Sequence, residues 1–153
     1  MPCSTMANMS KKEYSHITYM RSRYAETDQM GFVYYGRFAE YYEVGRVETI
    51  RSLGMTYKDL EHQSKIIMPV ISMQVRYLRP ALYDQLLEIK TTLRKIPDET
   101  ITFFTEIRNE SALLINAATV RLCFLHAETR QRVLCPTALI DLIAHAFEGT
   151  DTE

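Results

Sequence analysis

The chain lacks the marks of a cross-linked, membrane-spanning or strongly charged protein. Its 153 residues contain three cysteines, Cys3, Cys123 and Cys135, far apart. None forms a Cys-x-x-Cys pair, so neither a disulfide framework nor a zinc site is implied. Unpaired cysteines of this kind suit a reducing compartment, where they act as small apolar residues, and a cytoplasmic location is expected. No apolar run approaches the ~20 residues of a membrane helix. Residues 1–12 carry two lysines with no apolar stretch behind them, which does not fit a secretory signal. The net charge is −1, without the basic excess of a nucleic-acid binder or the block of acids of a charged tail.

Common catalytic signatures are missing too. No Gly-x-Ser-x-Gly supports a nucleophile elbow. No His-Glu-x-x-His is present, and His16, His62, His126 and His145 are too dispersed to give a metal site local support. Gly31 and Gly36 have the spacing of a phosphate loop, but Arg37-Phe38 follows them instead of Lys-Ser/Thr. No glycine-rich dinucleotide fingerprint follows a strand. Neither a metal nor a redox cofactor is expected.

What is present is an ordinary globular balance, 46% apolar and 24% charged. At this length one domain buries a core without staples. The expected organisation is an N-terminal arm over 1–13, a single domain over 14–147 and a tail over 148–153. His16 to Tyr24 alternates and is rich in Ile, Thr and Tyr, which predicts a first strand. Ala25 to Tyr35 reads as a loop. Gly36 to Leu53 predicts a long helix, with Phe38, Tyr41, Tyr42, Ile50 and Leu53 near helical spacing. Glu43 and Arg46 sit at a spacing that pairs along one helix face, most simply as a structural ion pair. Gly45, in mid-helix, costs roughly 1 kcal/mol against Ala and often marks a close approach by another segment. Tyr57 to Gln63 adds a short helical turn.

After Pro69 the period changes to two. Four strands are predicted: one in Val70–Tyr77 with Ile71, Met73, Val75 and Tyr77 on one face, one in Leu86–Lys95, one in Thr100–Arg108, and a longer one in Leu113–His126. Pro97-Asp98 and Asn109-Glu110-Ser111 mark turns. Thr137 to Phe147 predicts a C-terminal helix behind Pro136, with Leu139, Leu142, Ile143 and Ala146 on one stripe. The late strands are expected to run as a four-strand antiparallel meander with a helix on one face, an α+β arrangement.

Chemistry is concentrated in the loop before the long helix, Glu26-Thr27-Asp28-Gln29-Met30-Gly31-Phe32-Val33-Tyr34-Tyr35-Gly36. Asp28 stands seven residues before the expected helix start at Tyr35 or Gly36. The first N–H groups of a helix lack internal acceptors and carry the positive end of its dipole. Such donors hold a developing oxyanion in acyl transfer, and a nearby carboxylate acts as nucleophile or as general base on water. These groups suffice to hydrolyse a thioester, whose thiolate leaves readily. The bland reading of the same aspartate is a cap or turn residue.

The run RYAETDQMGFVYYGRFAEYYEVGRVETIRSLG, residues 23–54, resembles the signature of the 4-hydroxybenzoyl-CoA and Tol-Pal-associated branches of the hotdog-fold acyl-CoA thioesterases. Pro69 to Ile89, PVISMQVRYLRPALYDQLLEI, is similar to their following strand pair. The resemblance implies a hotdog fold, a five-stranded antiparallel sheet wrapped around a central helix, and hydrolysis of an acyl-CoA to free acid and CoA in a homodimer-based assembly, a homotetramer. Asp28 matches the catalytic carboxylate, Tyr35 the residue whose backbone N–H polarises the thioester carbonyl, and Gly31 the loop glycine. The Tol-Pal-associated branch often carries His in place of Tyr35, whereas the hydroxybenzoyl-CoA branch has Tyr there. Phe32, Tyr34 and Phe38 are candidates for an acyl pocket, although packing explains them equally well. Arg76 and Arg79, with Arg94 and Lys95, are candidates for the CoA phosphates, against a default of a solvated strand face. Two rival readings are a thioester hydratase or dehydratase, which would call for a histidine near the loop, and a non-catalytic acyl-CoA- or acyl-carrier-binding or assembly module.

Overall fold

The computed structural model describes residues 12–149. The parts of the expected arm and tail at 1–11 and 150–153 lie outside the described residues. The strands are β1 (Tyr14–Arg21), β2 (Ile66–Ile67), β3 (Val70–Tyr77), β4 (Leu86–Leu93), β5 (Thr100–Arg108), β6 (Leu114–Cys123) and β7 (Leu125–His126); the helices are α1 (Phe38–Ser52), α2 (Tyr57–Gln63) and α3 (Thr137–Glu148). Two-residue periodicity located β3, β4 and β5 closely. The first strand starts two residues earlier than expected and stops at Arg21. The expected strand over 113–126 divides into β6 and β7, and β7 pairs with β2, which no pattern announced.

The main sheet has five antiparallel strands in the order β1-β4-β5-β6-β3. The expected four-strand meander is therefore corrected. Only β4, β5 and β6 follow one another across the sheet, and β3 pairs with β6 at the far edge. Residues 69–89 accordingly hold two strands that are not neighbours. The reason lies in the connection over 78–85, which does not close a tight turn. It starts against β6, where the Leu78 and Arg79 amides donate to the Ile115 carbonyl, and ends against the opposite edge, where the Gln85 carbonyl accepts from Ser22 N–H at 2.9 Å. Its backbone groups are satisfied by these separate partners rather than by a hairpin ladder.

Helix α1 packs against β1, β4 and β5. Phe38, Tyr41, Tyr42, Gly45, Arg46, Thr49 and Ile50 form its buried face. They meet Ile89, Thr91, Phe103, Thr105 and Ile107, every second residue of β4 and β5, which are also buried. Gly45 is the point of closest approach: a Cβ there would lie 2.5 Å from Thr91 Oγ1 and 2.9 Å from Ile89 Cγ2. The buried Tyr42 hydroxyl donates to Asn116 Oδ1 at 2.8 Å and ties the helix to β6. In α3 the buried stripe is Leu139, Ile143 and Phe147, so Phe147 takes the place expected for Ala146. Cys123 and Cys135 are buried free thiols, and burial pushes the Cys135 thiol up to about 12. Among the described residues, no helix is long and apolar enough to cross a membrane, and no cluster of His, Cys, Asp or Glu could hold a metal ion.

The expected Glu43–Arg46 ion pair does not form. Arg46 lies on the buried face with its Nε unpartnered, while Glu43 is exposed. One helical step separates the protein-facing side from the solvent-facing side there.

Candidate active site

The loop between β1 and α1 is a small hairpin that ends in a helix start. After β1 the chain makes a 3-10 turn at Tyr24–Glu26. Thr27 then bridges Val33, the Asp28 amide donates to the Phe32 carbonyl at 2.8 Å, and the Tyr34 amide donates to the Glu26 carbonyl at 2.8 Å. Gly31 closes the turn with φ of +83°, a left-handed conformation that L side chains resist, and its amide donates to the Asp28 carbonyl at 3.0 Å. Asp28 Oδ1 accepts from the Met30 and Phe32 amides at 2.9 and 3.4 Å. The turn uses only one of the two oxygens a carboxylate has to offer.

The hairpin is fixed sideways by the 78–85 connection. The Val33 amide donates to the Ala81 carbonyl at 2.8 Å and Phe32 bridges Leu82. Beyond the hairpin, a 3-10 turn at Tyr35–Arg37 leads into α1. The helix therefore begins as a tight turn at Tyr35, within one residue of the expected start. No hydrogen bond among the described residues engages the Tyr35 N–H, in keeping with its place as the first amide of the turn.

A cavity of about 370 Å³ opens between this loop and the end of β3. Asp28 and Tyr35 both line it, together with Phe32, Phe38 and Arg79, so five of the eight residues expected at the site are brought together. Met30, Val33, Tyr77, Leu78 and Pro80 complete the wall. Its mouth is open: Met30, Tyr35 and Tyr77 are 74%, 63% and 51% exposed. The wall is mainly apolar and aromatic, with Tyr35 edge-on to Tyr77 at 6.4 Å and Phe38 at 6.1 Å from the Tyr77 ring. A mostly apolar cleft with a few converging polar groups is the usual form of a small-molecule site.

The other three expected residues sit elsewhere. Gly31 shapes the turn without lining the cavity. The Tyr34 ring folds back over Gly36, where an added Cβ would come within 2.9 Å of it, and lies 4.6 Å from the Tyr35 ring. Arg76 points from the other face of the sheet, into a separate cavity of about 200 Å³ with Gln74, Arg94, Phe104 and Glu106. Arg94 there stacks over Phe104 at 3.9 Å.

Tyr77 and Glu26 were not anticipated at the site. The Tyr77 hydroxyl donates to the Tyr35 carbonyl at 3.2 Å. Its position on the inner face of β3 was legible from the alternation, but its neighbour was not. Glu26 is 2% exposed. Its Oε1 accepts from the Arg23 amide at 2.8 Å and from the Tyr41 hydroxyl at 2.9 Å, with Arg23 Nε at 3.4 Å. Burial alone would raise the Glu26 pKa, but these bonds and the Arg23 charge outweigh it and hold the carboxyl below its ordinary range. Burial and the Glu26 carboxylate raise the Tyr41 phenol. The Tyr35 phenol, burial and the Asp28 charge raise that of Tyr34, and burial and Tyr35 that of Tyr77. All three phenols are therefore neutral donors at pH 7.

The chain matches the Thioesterase-like superfamily over residues 22–143 and belongs to that family. It is 32% identical to the putative acyl-CoA thioesterase YneP of Bacillus subtilis over 117 residues, 76% of this chain and 80% of that protein. It is 31% identical to the acyl-CoA thioester hydrolase YbgC of Escherichia coli O157:H7 over 101 residues, 66% of this chain and 75% of that protein. A DHNA-CoA thioesterase from Staphylococcus aureus superposes with a TM-score of 0.80 at 30% identity, covering 90% of this chain and 91% of that one. The 4-hydroxybenzoyl CoA thioesterase from Pseudomonas sp. strain CBS-3 shares the fold, with a TM-score of 0.76 at 17% identity over 84% of this chain and 98% of that one. The expected hotdog fold is thus the observed one.

Proposed function

We propose that this thioesterase-family protein hydrolyses an acyl-CoA thioester at the cavity shared by Asp28 and Tyr35. The carrying observation is that the Asp28 carboxylate and the residue bearing the unengaged Tyr35 amide line one apolar cleft. The thioester carbonyl oxygen docks on the Tyr35 N–H. Asp28 then either adds to the carbonyl carbon or takes a proton from a water that adds there. In both routes the negative charge of the tetrahedral intermediate sits on the former carbonyl oxygen, which accepts a hydrogen bond from the Tyr35 N–H, and collapse expels the CoA thiolate. In the first route water then cleaves the acyl–Asp28 anhydride, and an acylated Asp28 trapped on rapid quench distinguishes the two. Phe32 and Phe38 flank the acyl group, and Arg79 at the cavity wall meets the CoA phosphates. The names of the relatives support a CoA thioester as substrate, and no step requires a metal or redox cofactor.

We further place the enzyme in the cytoplasm as a homodimer-based assembly, a homotetramer. The wide spacing of the three cysteines in the sequence and the free thiols of Cys123 and Cys135 support the first. The second is supported by β3, an edge strand whose Val70, Ile71 and Met73 are 48%, 40% and 45% exposed, and by a cavity that opens beside that strand at Tyr77.

The test is thiol release from a panel of short, long and aromatic acyl-CoAs. Release is expected from at least one. Asp28→Asn should lower its turnover by about two to four powers of ten, the scale of a positioned acid–base or nucleophilic group. Binding without release from any substrate would favour the acyl-CoA-binding module, and full turnover by folded Asp28→Asn would remove Asp28 from the chemistry.

A further inference from the structure

The feature left over by this mechanism is the buried carboxylate of Glu26. It touches neither the cavity nor any exposed surface, yet both its main chain and its side chain are engaged. The Glu26 carbonyl takes the Tyr34 N–H, the last rung of the loop hairpin before the chain turns into the helix. The carboxylate is anchored to the start of the 3-10 turn that follows β1 through the Arg23 amide, and to α1 through the Tyr41 hydroxyl. Tyr41 in turn packs edge-on against Phe38 at 5.6 Å, and Phe38 lines the cavity. The next amide along, that of Tyr35, has no partner among the described residues. Its direction is set by the plane of the 34–35 peptide, which begins at the residue held by Glu26. On the other side, the Tyr35 carbonyl is held by the Tyr77 hydroxyl.

We propose that Glu26 is a positioning residue: it clamps the Tyr34 peptide rung to helix α1 and thereby aims the Tyr35 N–H at the oxyanion. This rests on the oxyanion role assigned above to that amide. The side chain and the main chain of this one residue act together: the carboxylate fixes Glu26 to the Arg23 amide and to the Tyr41 hydroxyl of α1, and the Glu26 carbonyl so held takes the Tyr34 rung next to the Tyr35 amide. Oxyanion donors act through placement, and a displacement of about 1 Å costs on the order of a hundredfold in rate.

The test compares wild type with Glu26→Ala, Glu26→Gln and Tyr41→Phe in two measurements. The first is steady-state hydrolysis of the best acyl-CoA. Glu26→Ala should lower kcat about a hundredfold and change KM less than threefold, while Glu26→Gln, whose amide oxygen still accepts from Arg23 and Tyr41, should stay within about threefold of wild type. The second is binding of two uncleavable CoA analogues, a ketone that keeps the carbonyl and a thioether that lacks it. Wild type should favour the ketone about tenfold, the scale of one well-aimed hydrogen bond. Glu26→Ala should bring that ratio toward one, and Tyr41→Phe should move it part of the way, which covers the case in which Glu26→Ala does not fold. A ratio unchanged in folded Glu26→Ala, or in Tyr41→Phe if the alanine variant is lost, overturns the positioning role. Absence of any ketone preference in wild type overturns the amide's oxyanion role, and with it this proposal.

Discussion

Three carboxylates in the first half of the chain show how surroundings assign roles to one chemical group. Asp28 sits at a cavity with one oxygen turned toward backbone amides. Glu26 is sealed between strand and helix. Glu43, on α1, meets solvent and forms no ion pair with Arg46. For Glu26 the environment gives a directional effect on stability. Its folded-state pKa lies below its ordinary value of 4.5, so its ionised form stabilises the fold at pH values above 4.5, and that contribution is lost as pH falls through the lower, folded value. Urea midpoints measured from pH 7 down to pH 3 should therefore show wild type exceeding Glu26→Gln near neutrality, with the gap closing below about pH 4.5. A gap that stays constant across that range would mean that the charge of Glu26 contributes nothing.

At the scale of elements, α1 and β4 illustrate a trade between propensity and packing. Alanine at position 45 would favour the helix by about 1 kcal/mol. The added methyl, however, would fall 2.5 Å from Thr91 Oγ1 and 2.9 Å from Ile89 Cγ2, both on a strand fixed by neighbours on each side. Overpacking of this kind costs about 1–3 kcal/mol and should win. Gly45→Ala is expected to lower the urea midpoint despite the better helix former; a raised midpoint would mean that helix and sheet separate freely. The mid-helix glycine was readable in the sequence as a sign of close approach. Which strand approached it was not, because that depends on β4 lying between β1 and β5.

Across the whole molecule, the strand order decides which apolar residues stand at a sheet edge and what borders the cavity. Because β3 crosses to the edge beside β6, its apolar residues Ile71 and Met73 are left without a strand beyond them among the described residues, and Tyr77 of the same strand borders the cavity. A charge placed there opposes any association along this edge. If the proposed homodimer-based assembly forms along this edge, Met73→Lys shifts the sedimenting species toward the monomer and, because the cavity mouth lies there, reduces turnover with it. A variant that keeps the wild-type mass in solution would remove this edge as the proposed subunit contact. The same topology separates the two candidate arginines. Three residues apart in sequence, Arg79 reaches the Asp28 cavity at the end of β3 while Arg76 faces the opposite side of the sheet.

The sequence by itself determined the elements and the candidate loop: two-residue alternation marked β3, β4 and β5, helical spacing marked α1, and the Asp28-to-Tyr35 run carried its turn glycine and its helix start within a single stretch of chain. These are local properties, set by backbone geometry and by neighbours a few residues away. Only the tertiary structure decided that β3 joins β6, that Glu26 finds Tyr41 fifteen residues on, that Tyr77 closes over Tyr35 from forty-two residues away, and that Arg46 is buried instead of paired. Those outcomes follow from which faces meet when the sheet closes on the helix, and no periodicity along the chain records them.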